Sequence, residues 1–101
     1  MTEYEITEEV SGSKGRYVAR ADGMPEAEMT YSVTNETLII IDHTGVPEEW
    51  RGMGVGKALV ERGVLDARKR GVRIIPLCPF AKAQIDKHPE WQDVLGGRAK
   101  N

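Results

Sequence analysis

Arg51-Gly52-Met53-Gly54-Val55-Gly56-Lys57 places three glycines at alternate positions, and the hydrophobic period of the chain changes across it. Upstream, Thr37 to Thr44 contains Leu38-Ile39-Ile40-Ile41, apolar on both faces as a central strand requires. Downstream, Gly56, Leu59, Val60, Gly63, Val64 and Ala67 recur at i, i+3, i+4, i+7, i+8 and i+11, a stripe along one helix face. Lys57, Glu61, Arg62, Asp66, Arg68 and Lys69 fill the rest of that helix. Gly71 supplies a C-terminal stop, and Val72 to Leu77 reads as a short apolar strand. Strand, helix and strand in that order form a βαβ unit, so the strands around Ile40 and Ile74 are expected to run parallel. Gly63 inside the helix costs about 1 kcal/mol against alanine. Its place on the stripe predicts close packing against the sheet, which offsets that cost.

Before this unit, Tyr4 to Val10, Arg16 to Ala21 and Ala27 to Val33 read as strands. Ser11 to Gly15, Asp22-Gly23 with Pro25, and Thr34-Asn35-Glu36 supply the turns between them. Ala27, Met29, Tyr31 and Val33 alternate with Glu28, Thr30 and Ser32, the pattern of a strand with one wet face. After it, Phe80 to Lys87 is expected to be a second helix ended by Pro89, and Glu90 to Leu95 a further turn. The fold class is therefore α+β, an antiparallel meander with one parallel strand added through a helical crossover. With 101 residues and no repeat or linker, the chain is expected to form a single domain over 1–101.

The composition, 40% hydrophobic and 30% charged with a net charge of −2, excludes a strong non-specific binder of nucleic acid or membranes. Arg68-Lys69-Arg70 is the only short basic run, and its place at a helix end complements the helix dipole. The longest apolar run, Leu38 to Ile41, is too short to span a bilayer. The first residues lack the basic and apolar regions of a signal peptide, and a lone cysteine, Cys78, forms no internal disulfide. A cytoplasmic protein is expected.

The glycine loop is where the chemistry concentrates. Glycine lets backbone approach a ligand, the first N–H groups of a helix lack internal partners, and together they attract anions. Arg51 and Lys57 add positive charge at the two ends. A Walker A loop does not fit, because only three residues separate Gly52 from Gly56 where it needs four, and Ala58 has no hydroxyl for magnesium. A dinucleotide fingerprint does not fit either, because Leu59 or Lys57 stands where its third glycine belongs and Val72 to Leu77 contains no acid. Ligands of parallel units collect at the carboxyl ends of the strands. Here that place is lined by Asp42-His43-Thr44, the loop 51–56 and Cys78.

Arg51-x-x-Gly54-x-Gly56, after a central strand and before a helix, resembles the coenzyme A pyrophosphate motif of the GNAT superfamily of acetyltransferases. Asp42-His43-Thr44-Gly45-Val46-Pro47, Pro76-Leu77-Cys78-Pro79-Phe80 and Lys87-His88-Pro89-Glu90-Trp91, in that order, narrow the likeness. They are similar to the small single-domain GNAT-like group, the N-acetyltransferase domain-containing protein 1-like chains, over about Glu26 to Leu95. The resemblance implies a minimal GNAT-like fold and transfer of an acetyl group from acetyl-CoA to an amine. It further implies that the backbone N–H groups of Met53, Gly54, Val55, Gly56 and Lys57, with Arg51 and Gly52 in the same loop, hold the coenzyme. The pantetheine arm would lie between strand ends near His43 and Leu77, pairing with backbone from Thr44 through Gly45 to Val46. Pro76 cannot donate a ladder hydrogen bond, which favours an opening there.

Cys78, at the expected N-terminus of the second helix, is a candidate nucleophile near the thioester, or else a small buried apolar residue. His43 is a candidate general base, or else a strand residue bonded locally. His88 reads as a helix-end residue, and no paired spacing supports a metal site. The N-terminal helices with which full-length GNAT enzymes form the acceptor site have no counterpart among these strands and turns. The amine therefore stays open: a small molecule, a protein amine, or one bound across a homodimer. The alternative is a coenzyme A or acyl-CoA binding module without catalysis.

Overall fold

A two-residue turn, Gly12-Ser13, joins β1 (Glu5–Ser11) to β2 (Lys14–Arg20). It is tighter than the expected Ser11–Gly15 turn, because Gly12 adopts a φ of 62° and Ser11 pairs directly with Lys14, the hairpin geometry that glycine in the first turn position favours. β3 (Ala27–Asn35) and β4 (Leu38–Gly45) follow, then α1 (Val55–Arg70), β5 (Arg73–Pro76) and α2 (Pro79–Asp86). Short 3-10 segments occupy Glu48–Trp50 and Pro89–Val94. The computed structural model describes residues 3–96, so residues 1–2 and 97–101 of the expected domain lie outside the described residues. The sheet order is β1-β2-β3-β4-β5, with four antiparallel strands and a parallel β4–β5 pair bridged by α1, the α+β architecture expected.

One sheet face carries Tyr17, Ala19, Ala27, Met29, Tyr31, Ile41 and Ile74 into a core with the apolar stripe of α1 and with Ala81, Ile85, Trp91 and Val94. Gly63 packs as its place on the stripe requires: a Cβ there would stand 2.9 Å from the Met29 Cε. At the end of α1 the amides of Gly71 and Val72 reach the Arg68 and Ala67 carbonyls, with Gly71 in the left-handed region. The basic run finds partners besides the dipole: Arg68 forks onto Asp93 at 2.8 and 2.7 Å, and Arg70 bonds Glu8 at 3.0 Å.

The opposite face carries Arg16, Val18 and Arg20 of β2 with Glu28, Thr30 and Ser32 of β3. Arg16 and Arg20 reach Glu9, Glu26 and Glu28, and between them Val18 is fully buried although it lies outside the core cluster.

Two irregularities shape the end of β4. Thr30 pairs with His43 but Tyr31 pairs with Ile41, so Asp42 is an extra residue, a β-bulge. In a regular strand neighbouring side chains point to opposite faces. Here Asp42 accepts a hydrogen bond from the Ser32 hydroxyl at 2.7 Å and His43 stands opposite Thr30, so both lie on the open face. β5, meanwhile, stops. Its last pair is Ile41–Pro76, the amides of Leu77 and Cys78 both turn to the Ile41 carbonyl, and β4 runs on to Gly45 with no strand paired on that side among the described residues.

Candidate functional site

The gap where β4 and β5 part leads to the N-terminus of α1, and a buried tryptophan holds the connecting loop. Trp50 donates its Nε1–H to the Pro25 carbonyl at 2.7 Å and packs edge-on against Tyr4. From that anchor the chain passes through Gly52 and Gly54, with φ of 81° and 71°. An added Cβ at either would meet nothing within 4 Å, so it is the left-handed backbone, not lack of room, that calls for glycine. The Met53 amide donates to the Trp50 carbonyl at 3.1 Å, so this one of the five expected amides is already used by the 3-10 turn. The amides of Gly54, Val55, Gly56 and Lys57 have no acceptor among the described residues. Arg51 is paired with Glu48 at 3.1 Å on the surface, whereas Lys57 has no acidic partner among the described residues.

Gly56 is small for a different reason. A Cβ there would lie 2.7 Å from the Phe80 ring and 3.5 Å from Val46. Val46 and Phe80, partly exposed, lie against Gly56, and Leu77, 65% exposed, follows β5 at the edge of the gap, so the three supply an apolar rim.

Thr44 comes after the bulge and faces the helices, where the Cys78 Sγ lies 3.4 Å from its hydroxyl. Cys78 caps α2 with an extended backbone and is buried. Burial pushes its thiol up, but the polar surroundings of the Thr44 hydroxyl and the nearby Ala81 and Phe80 amides outweigh that and hold it below its ordinary value of 9.0.

A family model described as GCN5-related N-acetyl-transferase matches residues 16–94. The chain belongs to that family. A GCN5-like candidate N-acetyltransferase from Staphylococcus aureus, solved by NMR, is 36% identical, covers 96% of this chain and 92% of its own, and superposes with a TM-score of 0.68. The ribosomal-protein-alanine N-acetyltransferase from Brucella melitensis biovar Abortus 2308 shares the fold at 20% identity and a TM-score of 0.59, over 90% of this chain and 67% of its own. No curated protein matches.

Within this GCN5-related domain the sequence-derived candidates are divided by the sheet. Thr44, Cys78 and the loop 51–57 gather on the helix side, whereas His43 lies on the open face beside Asp42. His88 donates to the Gln84 carbonyl at 2.6 Å and stacks on Trp91, the helix-end role expected of it. No three His, Cys, Asp or Glu side chains cluster as metal ligands among the described residues, and no described helix is long and apolar enough to cross a membrane. Sequence reasoning named Val46 for its backbone but missed its apolar side chain, and it missed Trp50 and Phe80. A tryptophan directly before the glycine loop was a signal for the anchor, but the close approach of Phe80 to Gly56 joins residues far apart in the chain.

Proposed function

We propose that this chain binds acetyl-CoA and transfers its acetyl group to an amine, with the diphosphate received by the amides of Gly54, Val55, Gly56 and Lys57. The observation that carries this reading is the set of four unpartnered N–H groups opening a sixteen-residue helix beside the gap between β4 and β5. Aligned peptide dipoles and open donors favour an anion at that point, Lys57 adds a cation, and the rim of Val46, Leu77 and Phe80 suits an apolar pantetheine arm. Family membership supports the same donor.

Acetyl-CoA supplies an activated thioester: the amine nitrogen bonds the acetyl carbon, the carbon–sulfur bond breaks, and the thiol departs with a proton that the amine gives up. In this chain His43 is positioned to take up a proton on the open face. Thr44 and Cys78 border the thioester from the helix side. Transfer is direct, because the Cys78 sulfur is buried on the side away from His43 and an acetyl group parked on it would face the core.

Calorimetric titration with acetyl-CoA tests the site. Gly54→Glu, whose Cβ meets no neighbour and which adds about 1 kcal/mol of left-handed strain, is expected to abolish binding in a folded domain; unchanged affinity would remove the loop from the site. Gly56→Glu is unsuitable, since it would displace Phe80. An acetyl adduct on Cys78, seen by mass spectrometry on the donor-loaded protein, would replace the direct route with a covalent one. Tight donor binding without turnover on any amine would favour the non-catalytic module.

A further inference from the structure

On the open face a groove of about 530 Å³ crosses the sheet, bordered by Glu9, Val10, Lys14, Arg16, Thr30 and Asp42. It follows one row of cross-strand partners: Val10 with Gly15, Gly15 with Tyr31, and Tyr31 with Ile41. The next partner in that row is Pro76, the last residue of β5 to pair with β4. The groove's β4 border is Asp42, the residue that follows Ile41 and so stands one position beyond the last β4–β5 pair. Its volume is that of a small-molecule site.

The charges in the groove are not equivalent. Glu9 and Arg16 are paired with each other at 2.8 Å, and Arg16 also holds Glu28. Lys14 and Asp42 have no ion pair among the described residues. They are linked only through the Ser32 hydroxyl, which accepts from the Lys14 Nζ at 2.8 Å and donates to Asp42 at 2.7 Å. A cation over β2 and an anion over β4, one hydroxyl apart, complement a ligand that bears the opposite charges at similar spacing. The anion lies beside the gap, so it is the ligand's ammonium that is held next to the thioester.

We propose that this groove is the acceptor site and that the acceptor is a free amino acid, its carboxylate on Lys14 and its amine on Asp42 beside His43. The proposal rests on the acetyl-transfer reading above, and it deepens that reading by naming the substrate class. The bulge at Asp42 is what makes it possible, since a regular strand would send either Asp42 or His43 to the helix side.

Donor binding is measured separately by calorimetry, so a failure there counts against the acetyl-CoA site alone. For the groove, amide resonances of the protein are followed while L-leucine, L-lysine or L-glutamate is added, with and without coenzyme A. Shifts are expected at Gly15, Thr30, Ser32 and Asp42. Turnover is then compared between each amino acid and its carboxamide. The native chain is expected to show a KM at least tenfold lower for the acid, Lys14→Gln to lose that preference, and Asp42→Asn to raise KM at least tenfold for both, all with unchanged affinity for acetyl-CoA. Equal use of acid and carboxamide by the native chain, shifts confined to residues outside the groove, or higher kcat/KM for spermidine or the N-terminus of a ten-residue peptide than for every amino acid would each overturn the proposal.

Discussion

Glu8 illustrates how a single side chain ties the N-terminal strand to the helix. It accepts from Arg70 at 3.0 Å and from the Tyr31 hydroxyl, while Tyr17 on the same face bonds Asp66 of α1 at 2.9 Å. Burial works to raise the Glu8 carboxyl, but Arg70 and Tyr31 outweigh it and hold it below its ordinary 4.5; burial, with Glu8 adding to it, pushes Tyr31 above 10.0. A carboxyl depressed in the folded state adds stability that is present above its unfolded pKa and is lost as pH falls through the folded value. Glu8→Gln is therefore expected to cost about 1.5–3 kcal/mol at neutral pH, the range for a hydrogen bond to a charged group. The difference from the native chain should shrink to nothing in acid. Urea unfolding at a series of pH values checks this, and a cost independent of pH would assign the loss to packing instead. None of this was legible in the sequence, where Glu8 is one of several acids in a polar strand.

At the scale of elements, turn chemistry and period were readable because each is written locally. Asn35 accepts from the Thr37 amide at 2.8 Å, Gly71 stops α1, and Gly63 fits the sheet, all consequences of one residue type at one position. The bulge was not readable. Asp42-His43-Thr44 could be named as site residues, but alternation alone assigns them to opposite faces in turn, and only the pairing with β3 shows Asp42 and His43 together. The loop was readable for its glycines and not for its support. Trp50→Phe keeps an aromatic ring but loses part of the buried indole together with the hydrogen bond to Pro25, the latter worth about 1 kcal/mol. A lower melting temperature together with weaker acetyl-CoA binding is expected, since the glycine backbone would lose its fixed starting point. A variant that melts lower but binds equally well would show that the loop holds its shape unaided.

For the whole molecule, sheet order and the parallel crossover followed from the strand-helix-strand succession and short turns. The open-face groove did not, because it exists only once four strands are in register and Lys14, Ser32 and Asp42, from three of them, stand in line. The lattice of Arg16 and Arg20 with Glu9, Glu26 and Glu28 has the same origin. One further consequence comes from the way β5 ends. The gap beside β4 is produced by a strand that terminates at Pro76, with Leu77 and Cys78 fastened to the Ile41 carbonyl, so the slot proposed for the donor exists before any ligand arrives. Loading should then be a one-step collision. In stopped-flow mixing the observed rate is expected to climb in direct proportion to acetyl-CoA concentration, whereas a plateau would reveal a gating motion that these fixed strand ends do not require.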